Sequence, residues 1–433
     1  MKLSADSSCY FLSLKVKNVS CFGKAQPLNL TYKDGSPARW TVIIGDNGMG
    51  KTTLLRSLVG ITPYNIEEVY SMVFASKNLG WNFPRDHEKA EVEATFSIGY
   101  KFTSPEEAGI TGKRWFKGNM TNWDKKQDPD TKSGYPWSRF VCHAYGASRR
   151  MGKSGLTNYK HRFMAASLFD DDAPLINAED WLLQADYISA KEKKYLSYKK
   201  QVENIILNLL PDVKNIDYHI DKRVSKVLFE TSFGWVGIDD LSLGYRTMLS
   251  WMVDFAARLF ERYPDSKNPL EEPAVLLVDE IDLHLHPQWQ RILIDFLTER
   301  FPNTQFIASA HSPLLVQAAA STNLVLLKRQ GNQIIIDNDP VSVENWRVDQ
   351  ILTSDLFGLD SPRSKKTERL LKERTKILSK PRLTEKDNRS LKALKMKLSS
   401  MPFGDTPKEI QADFLLKEIA KKIKADKDKS KRK

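Results

Sequence analysis

The stretch "WTVIIGDNGMGKTTLLRSLVG", residues 40–60, constrains this chain more than any other. An apolar, β-branched run breaks at Gly45, and a helical run follows from Lys51 to Gly60, where a C′ glycine would end it. Between them, Gly45–Thr52 fills the pattern G-x-x-x-x-G-K-[ST] completely, and the flanking strand and helix are the context that pattern needs. Its glycines allow a tight loop whose backbone N–H groups face phosphate oxygens. Lys51 can reach the β- and γ-phosphates, Thr52 can ligate Mg²⁺, and the helix N-terminus adds the positive end of its dipole. The expected nucleotide-binding residues are Gly45, Asn47, Gly48, Gly50, Lys51, Thr52 and Thr53.

Two later strands carry the same logic. "AVLLVDEID" (274–282) is an apolar strand that ends in adjacent acids, and desolvating unpaired carboxylates is costly without compensation. Joined to a phosphate loop, Asp279 reads as the Mg²⁺ ligand and Glu280 as the general base for an attacking water. "QFIASAHS" (305–312) places His311 just past a strand end, where an imidazole could contact a γ-phosphate. His284 and His286 in "LHLHP" sit two apart with no evident third ligand, so packing and hydrogen bonding explain them better than a metal. "DDLSLGYRTMLSW" (239–251) starts an amphipathic helix with Met248, Met252, Phe255, Leu259 and Tyr263 as its apolar stripe. That stripe needs no function; the small residues Ser242 and Gly244 at its tip are what call for one.

Together, the phosphate loop, "LSLGYR", "VDE" and "SAHS" resemble, in order and spacing, the heads of ABC-type ATPases, in the subgroup holding the OLD, RecF and SMC-related proteins. The resemblance implies a P-loop α/β head: a mainly parallel sheet with antiparallel N-terminal strands, a helical insertion and a basic C-terminal helical appendage. It further implies ATP and Mg²⁺ as ligands, two heads sandwiching two ATP molecules, and Ser242 and Gly244 as the cap that one head offers the other's nucleotide. Leu243 and Tyr245 depart from the usual signature, and the Q-loop glutamine has no clear counterpart, although "HAYGASRR" occupies its region and offers Arg149 and Arg150. "AYGASR", "VDEIDLHLHP" and "LTSDLFGLDSPRS" are similar to the ATPase subunit of Septu-type anti-phage systems, some linked to retrons. Those ATPases act with a separate HNH-type nuclease subunit.

The rest of the chain sets the domain expectations. Strands alternating with helices predict an α/β core with parallel strands. The expected parts are an ATPase lobe over 1–150 and a mainly helical insertion over 151–235. A lobe with the signature, the acids and the histidine follows over 236–345, then a basic helical appendage over 346–433. Residues 77–140 read as an irregular insertion, whose "KRWFKGNMTNWDKKQDPDTKSGYPW" either packs its tryptophans on the body or stacks nucleic-acid bases. "FDDDAP" (169–174) reads as a helix-capping loop, and 175–213 as helical, with Val202, Ile205, Ile206 and Leu209 on one face. In the tail, "LTEKDNRSLKALKMKL" and "TPKEIQADFLLKEIAKKI" are amphipathic, the second with Thr406 as N-cap and Pro407 at N1.

The net charge of +12 belongs to that tail: residues 361–433 hold 24 Lys and Arg against 10 Asp and Glu, and the remainder holds 42 against 44. A solvated helical surface or an electrostatic contact with nucleic acid or an acidic partner would account for it. Three scattered cysteines (Cys9, Cys21, Cys142), no leader-like start and no long apolar span point to a cytoplasmic protein without a membrane partner. No long heptad array separates the two halves, so a chromosome clamp is not expected. The expected activity is ATP hydrolysis by a dimer or higher homo-oligomer that regulates a nuclease encoded elsewhere. The alternative is a DNA repair or recombination ATPase that binds DNA through its basic tail.

Overall fold

The buried apolar runs become parallel strands because both of their faces are covered, which is what a run such as "AVLLV" requires. The computed structural model describes residues 8–62, 90–103, 110–118, 123–127, 140–153, 164–220 and 225–399. The chain divides into two compact units, Met1–Gly358 and Leu359–Lys433. The first unit opens with β1 (Cys9–Lys17), β2 (Gln26–Asn29), β3 (Trp40–Ile44) and α1 (Lys51–Gly60), followed by β4 (Ala90–Ile98), β5 (Ile110–Gly118), β6 (Trp123–Gln127) and β7 (Cys142–Tyr145). Helices α2 (Ala178–Ser189) and α3 (Lys193–Leu209) precede β8 (Asn215–Ile220), β9 (Ser225–Thr231) and β10 (Gly234–Gly237). Then come α4 (Leu243–Arg262), β11 (Ala274–Val278), α5 (Pro287–Arg300), β12 (Thr304–Ala310) and α6 (Pro313–Ala318). The unit closes with β13 (Asn323–Gln330), β14 (Gln333–Asp337) and α7 (Val348–Leu352).

The central sheet runs β14-β13-β3-β12-β11-β7, parallel throughout except for the β13–β14 hairpin. Side-chain alternation divides it between two cores. Val42, Ile44, Leu276, Val278, Phe306 and Ala308 face the core shared with α4 and α5, where Trp40 stacks on Phe306 at 4.2 Å. Ile43, Val275, Leu277, Ile307 and Val325 face α1 and the five-stranded antiparallel sheet β2-β1-β4-β5-β6. Two buried glutamines stitch the sheets together. Where β1 bulges between Phe11 and Ser13, Gln305 of β12 accepts from Phe11 N and donates to Phe11 O, both at 2.8 Å. Gln26 does the same for β14, donating to Ile334 O and accepting from Ile336 N at 2.8 Å.

Two expectations need correction. The segment read as irregular, 77–140, contains β4, β5 and β6, which extend the N-terminal sheet. "AEVEATFSI" alternates buried and half-buried positions, and antiparallel pairing with β1 (Val16 opposite Val92, Leu14 opposite Ala94) gives that alternation its two faces. Its tryptophan side chains lie outside the described residues. The helical stretch 175–213 breaks at Ala190–Glu192 into α2 and α3, whose Val202, Ile205, Ile206 and Leu209 are buried as expected. The cap of α2 is Asn177, whose side chain accepts from Asp180 N at 3.0 Å. "FDDDAP" does cap a helix, the short Ala166–Phe169, whose C-cap is Asp170, and Asp172 pairs with Arg150 at 2.9 Å.

Helix α4 is enclosed more fully than a one-sided stripe: every residue from Thr247 to Ala257 is buried, while Tyr263 caps its end and donates to Pro273 O at 2.5 Å. In the second unit, α8 (Lys365–Leu378) and α9 (Glu385–Ser399) are described, and the "TPKEIQ" helix lies outside the described residues. A capping box starts α9, with Thr384 and Asp387 each accepting from the other's backbone N–H. Among the described residues, no helix is long and apolar enough to cross a membrane.

Candidate functional site

Parallel pairing brings four strand ends to one edge: Ile44 is opposite Ala310, Val278 opposite Ala308, and Val278 also opposite Tyr145. The loops leaving these ends carry Gly45–Thr53, His311, Asp279–Glu280 and Gly146–Arg150, so the candidate site lies beyond the carboxyl ends of the strands, where open α/β sheets bind ligands. The phosphate loop takes its shape from glycine: Gly45, Gly48 and Gly50 all have positive φ. At Gly50 a Cβ would also approach Cys21 Sγ to 2.5 Å. Asn47 and Gly48 form the exposed tip of the loop, and Thr53 is half-buried in the first turn of α1. Lys51 is buried and donates to Gly45 O at 2.6 Å and Asp46 O at 3.0 Å. Burial lowers its pKa, against the pull of Asp279, Glu280, Asp46 and Asp282.

Asp279 is the centre of the arrangement. Its Oδ2 accepts from Thr52 Oγ1 at 2.6 Å and its Oδ1 from the Ser309 hydroxyl. Glu280 follows with φ 48°, a left-handed backbone that costs a non-glycine residue about 1–2 kcal/mol. Side chains hold both of its peptide groups: Ser309 Oγ accepts from Glu280 N at 2.7 Å, and Arg149 Nη2 donates to Glu280 O at 2.8 Å. A charged hydrogen bond worth about 1.5–3 kcal/mol is enough to offset that conformation. His311 Nε2 lies 3.9 Å from Glu280 Oε1, close but too far for a hydrogen bond, and its backbone N donates to Asp282 Oδ2 at 2.9 Å. Ser309, Asp282 and Arg149 had no assigned role from sequence. A serine in a fully buried strand and a third acid after "DE" were the available signals.

Ser242 and Gly244 stand apart from this cluster. Ser242 is the N-cap of α4, its Oγ accepting from Tyr245 N at 3.4 Å, and among the described residues no hydrogen bond joins it to the phosphate loop. Gly244 packs against the turn after Glu280: a Cβ there would meet His284 O at 2.4 Å. His284 itself is left-handed (φ 62°). His286 caps α5 ahead of Pro287, with Nδ1 accepting from Gln288 N at 3.3 Å, so "LHLHP" is a tight turn and helix start.

The residues present fit Mg²⁺ and a nucleotide. Thr52 Oγ1 and Asp279 Oδ2 are hard oxygen donors within contact distance, the type this ion takes. The positive-φ glycines, the buried ammonium and the start of α1 form a cradle for phosphate oxygens.

This strand edge is that of a P-loop ATPase head. Residues 40–317 match the family model described as "AAA domain, putative AbiEii toxin, Type IV TA system", and the chain belongs to that AAA family. The chain is 30% identical over 380 residues to the Septu protein PtuA of Bacillus thuringiensis, covering 82% of this chain and 86% of that protein. It is 26% identical over 375 residues to the Septu protein PtuA of Bacillus mycoides (strain KBAB4), covering 86% of this chain and 48% of that protein, so it spans about half the length of that relative. The retron Vc95 probable ATPase of Vibrio cholerae is 25% identical over 384 residues, with coverage of 72% and 73%.

Packing at Gly244 generates a prediction opposed to helix propensity. In an open helix Gly→Ala stabilises by about 1 kcal/mol. Here Gly244→Ala drives a methyl into the His284 carbonyl and should lower stability by about 1–3 kcal/mol. Denaturant unfolding measures the difference, and a midpoint at or above that of the wild type would show that the turn yields freely.

Proposed function

We propose that this chain is an ATP-binding and ATP-hydrolysing head that pairs with a second head around two ATP molecules and governs a separately encoded HNH-type nuclease in bacterial anti-phage defence. The observation that carries the chemistry is the 2.6 Å contact between Thr52 and Asp279, with Glu280 next in sequence and His311 3.9 Å from its carboxylate. The defence setting rests on the Septu and retron ATPases to which the chain is similar.

In this reading Lys51 and the loop N–H groups bind the β- and γ-phosphates, and the first turn of α1 orients them. Thr52 and Asp279 hold Mg²⁺, which, when bound, neutralises charge on the phosphoryl oxygens. Glu280 Oε1 accepts a proton from the attacking water, and His311 Nε2 faces the γ-phosphate. Ser242 and Gly244 of one head cap the nucleotide of the other, with Ser242 exposed at the start of α4.

Two experiments test these roles. The wild type should hydrolyse ATP, Lys51→Ala should bind none, and Glu280→Gln should bind ATP, turn over at least about 100-fold more slowly and accumulate as a dimer. Nucleotide binding, phosphate release and light scattering report the three quantities. Unchanged turnover in Glu280→Gln removes the base assignment. Ser242→Arg should leave ATP binding intact while abolishing dimerisation and turnover; an active dimer of that variant would reduce Ser242 to a helix cap.

A further inference from the structure

We propose that Arg149 is a positioning residue for Glu280, holding the backbone turn that aims the Glu280 carboxylate into the site. The inference rests on the hydrolysis reading above and extends it to a residue in the loop after a neighbouring strand.

Arg149 follows β7, which pairs with β11 so that Asp279 N donates to Tyr145 O at 2.8 Å. Beyond that bond the two chains leave the sheet together. Both then turn left-handed, Arg149 at φ 38° and Glu280 at φ 48°. Neither conformation suits an L-residue, and the one at Glu280 is held by Arg149, whose Nη2 donates to Glu280 O. The opposite side of the Glu280 peptide is fixed by Ser309. Glu280 thus has its N–H and C=O clamped by side chains from β12 and from the loop after β7, and its carboxylate lies 3.9 Å from His311.

Arg149 is 1% exposed, and among the described residues its Nε and Nη1 have no hydrogen-bond partner. Leaving a buried cation with two unsatisfied nitrogens is costly unless opposing charge surrounds it. Asp279, Asp282 and Glu280 provide that charge, though burial outweighs their pull and leaves the guanidinium pKa lowered to about 10. A residue present only for packing would not need a cation at this place. A phosphate ligand would need guanidinium nitrogens that reach the surface, and these two are sealed.

The test separates positioning from binding and from folding. Arg149→Gln in the full chain should reduce kcat about 100-fold, as expected for a misaimed catalytic group, while its affinity for ATP changes less than about threefold. Arg149→Lys keeps the charge and one donor and should recover part of the loss. If Arg149→Gln fails to fold, Arg149→Lys alone should show the same split, with lowered kcat and unchanged ATP affinity. In a Glu280→Gln background, Arg149→Gln should slow turnover no further, because both changes act through one carboxylate. Unchanged kcat in a folded variant overturns the inference, as does an equal loss of ATP affinity and kcat, or full additivity in the double variant. A wild type without ATP turnover overturns the hydrolysis reading itself; a wild type that hydrolyses ATP beside an equally active Arg149→Gln overturns only the role of Arg149.

Discussion

The carboxylate of Asp279 ties the ATPase edge together. One oxygen is bound by Thr52 at the start of α1, the other by Ser309 near the end of β12, and its backbone N–H by Tyr145 at the end of β7. Four segments that are distant in sequence therefore meet at a single residue. A buried carboxylate is stable only with such donors and with nearby positive charge, so the cluster forms as a unit or not at all. The parallel register does the coarse alignment, and these side-chain bonds set the remaining few ångströms.

How much of this was legible depended on how local the cause was. The phosphate loop announces itself because its glycines, lysine and threonine act within eight residues. Strands β3, β11 and β12 were readable because a strand covered on both faces has to be a continuous apolar run. Strand β4 was not, because its alternation has meaning only beside β1, and the glycine- and lysine-rich composition around it suggested a loop. The two stitching glutamines were hidden for the same reason: Gln305 is needed by a bulge at Phe11, which no pattern near Gln305 records. At the site, Asp279, Glu280 and His311 could be named from the ends of apolar strands. Ser309, Asp282 and Arg149 gain their importance from the partners that folding brings to them.

The helix tip at 242–244 shows how one motif can have two causes. Ser242 caps α4, and Gly244 makes room for the His284 carbonyl, so both residue types have reasons internal to the chain. A signature glycine is therefore weak evidence for a nucleotide across an interface. Its packing joins α4 to the acidic turn, because His284 lies four residues after Glu280 in the same tight turn. The start of α4 therefore packs directly on the turn that carries Glu280, with no room for a side chain at Gly244.

The two buried cations at this edge differ in what they can release. Lys51 donates to two loop carbonyls, Gly45 O and Asp46 O, neutral acceptors that phosphate oxygens outcompete. Its flexible stem and single charged point suit that exchange. Arg149 donates to the Glu280 carbonyl from a planar group enclosed by protein, and nothing that enters the loop can take its place. The three acids Asp279, Glu280 and Asp282 thus lie near two buried positive charges, Lys51 in the loop and Arg149 behind them. Lysine in the loop and arginine behind the acids fit that division: one ammonium lies against loop carbonyls, and one guanidinium is enclosed against Glu280 O.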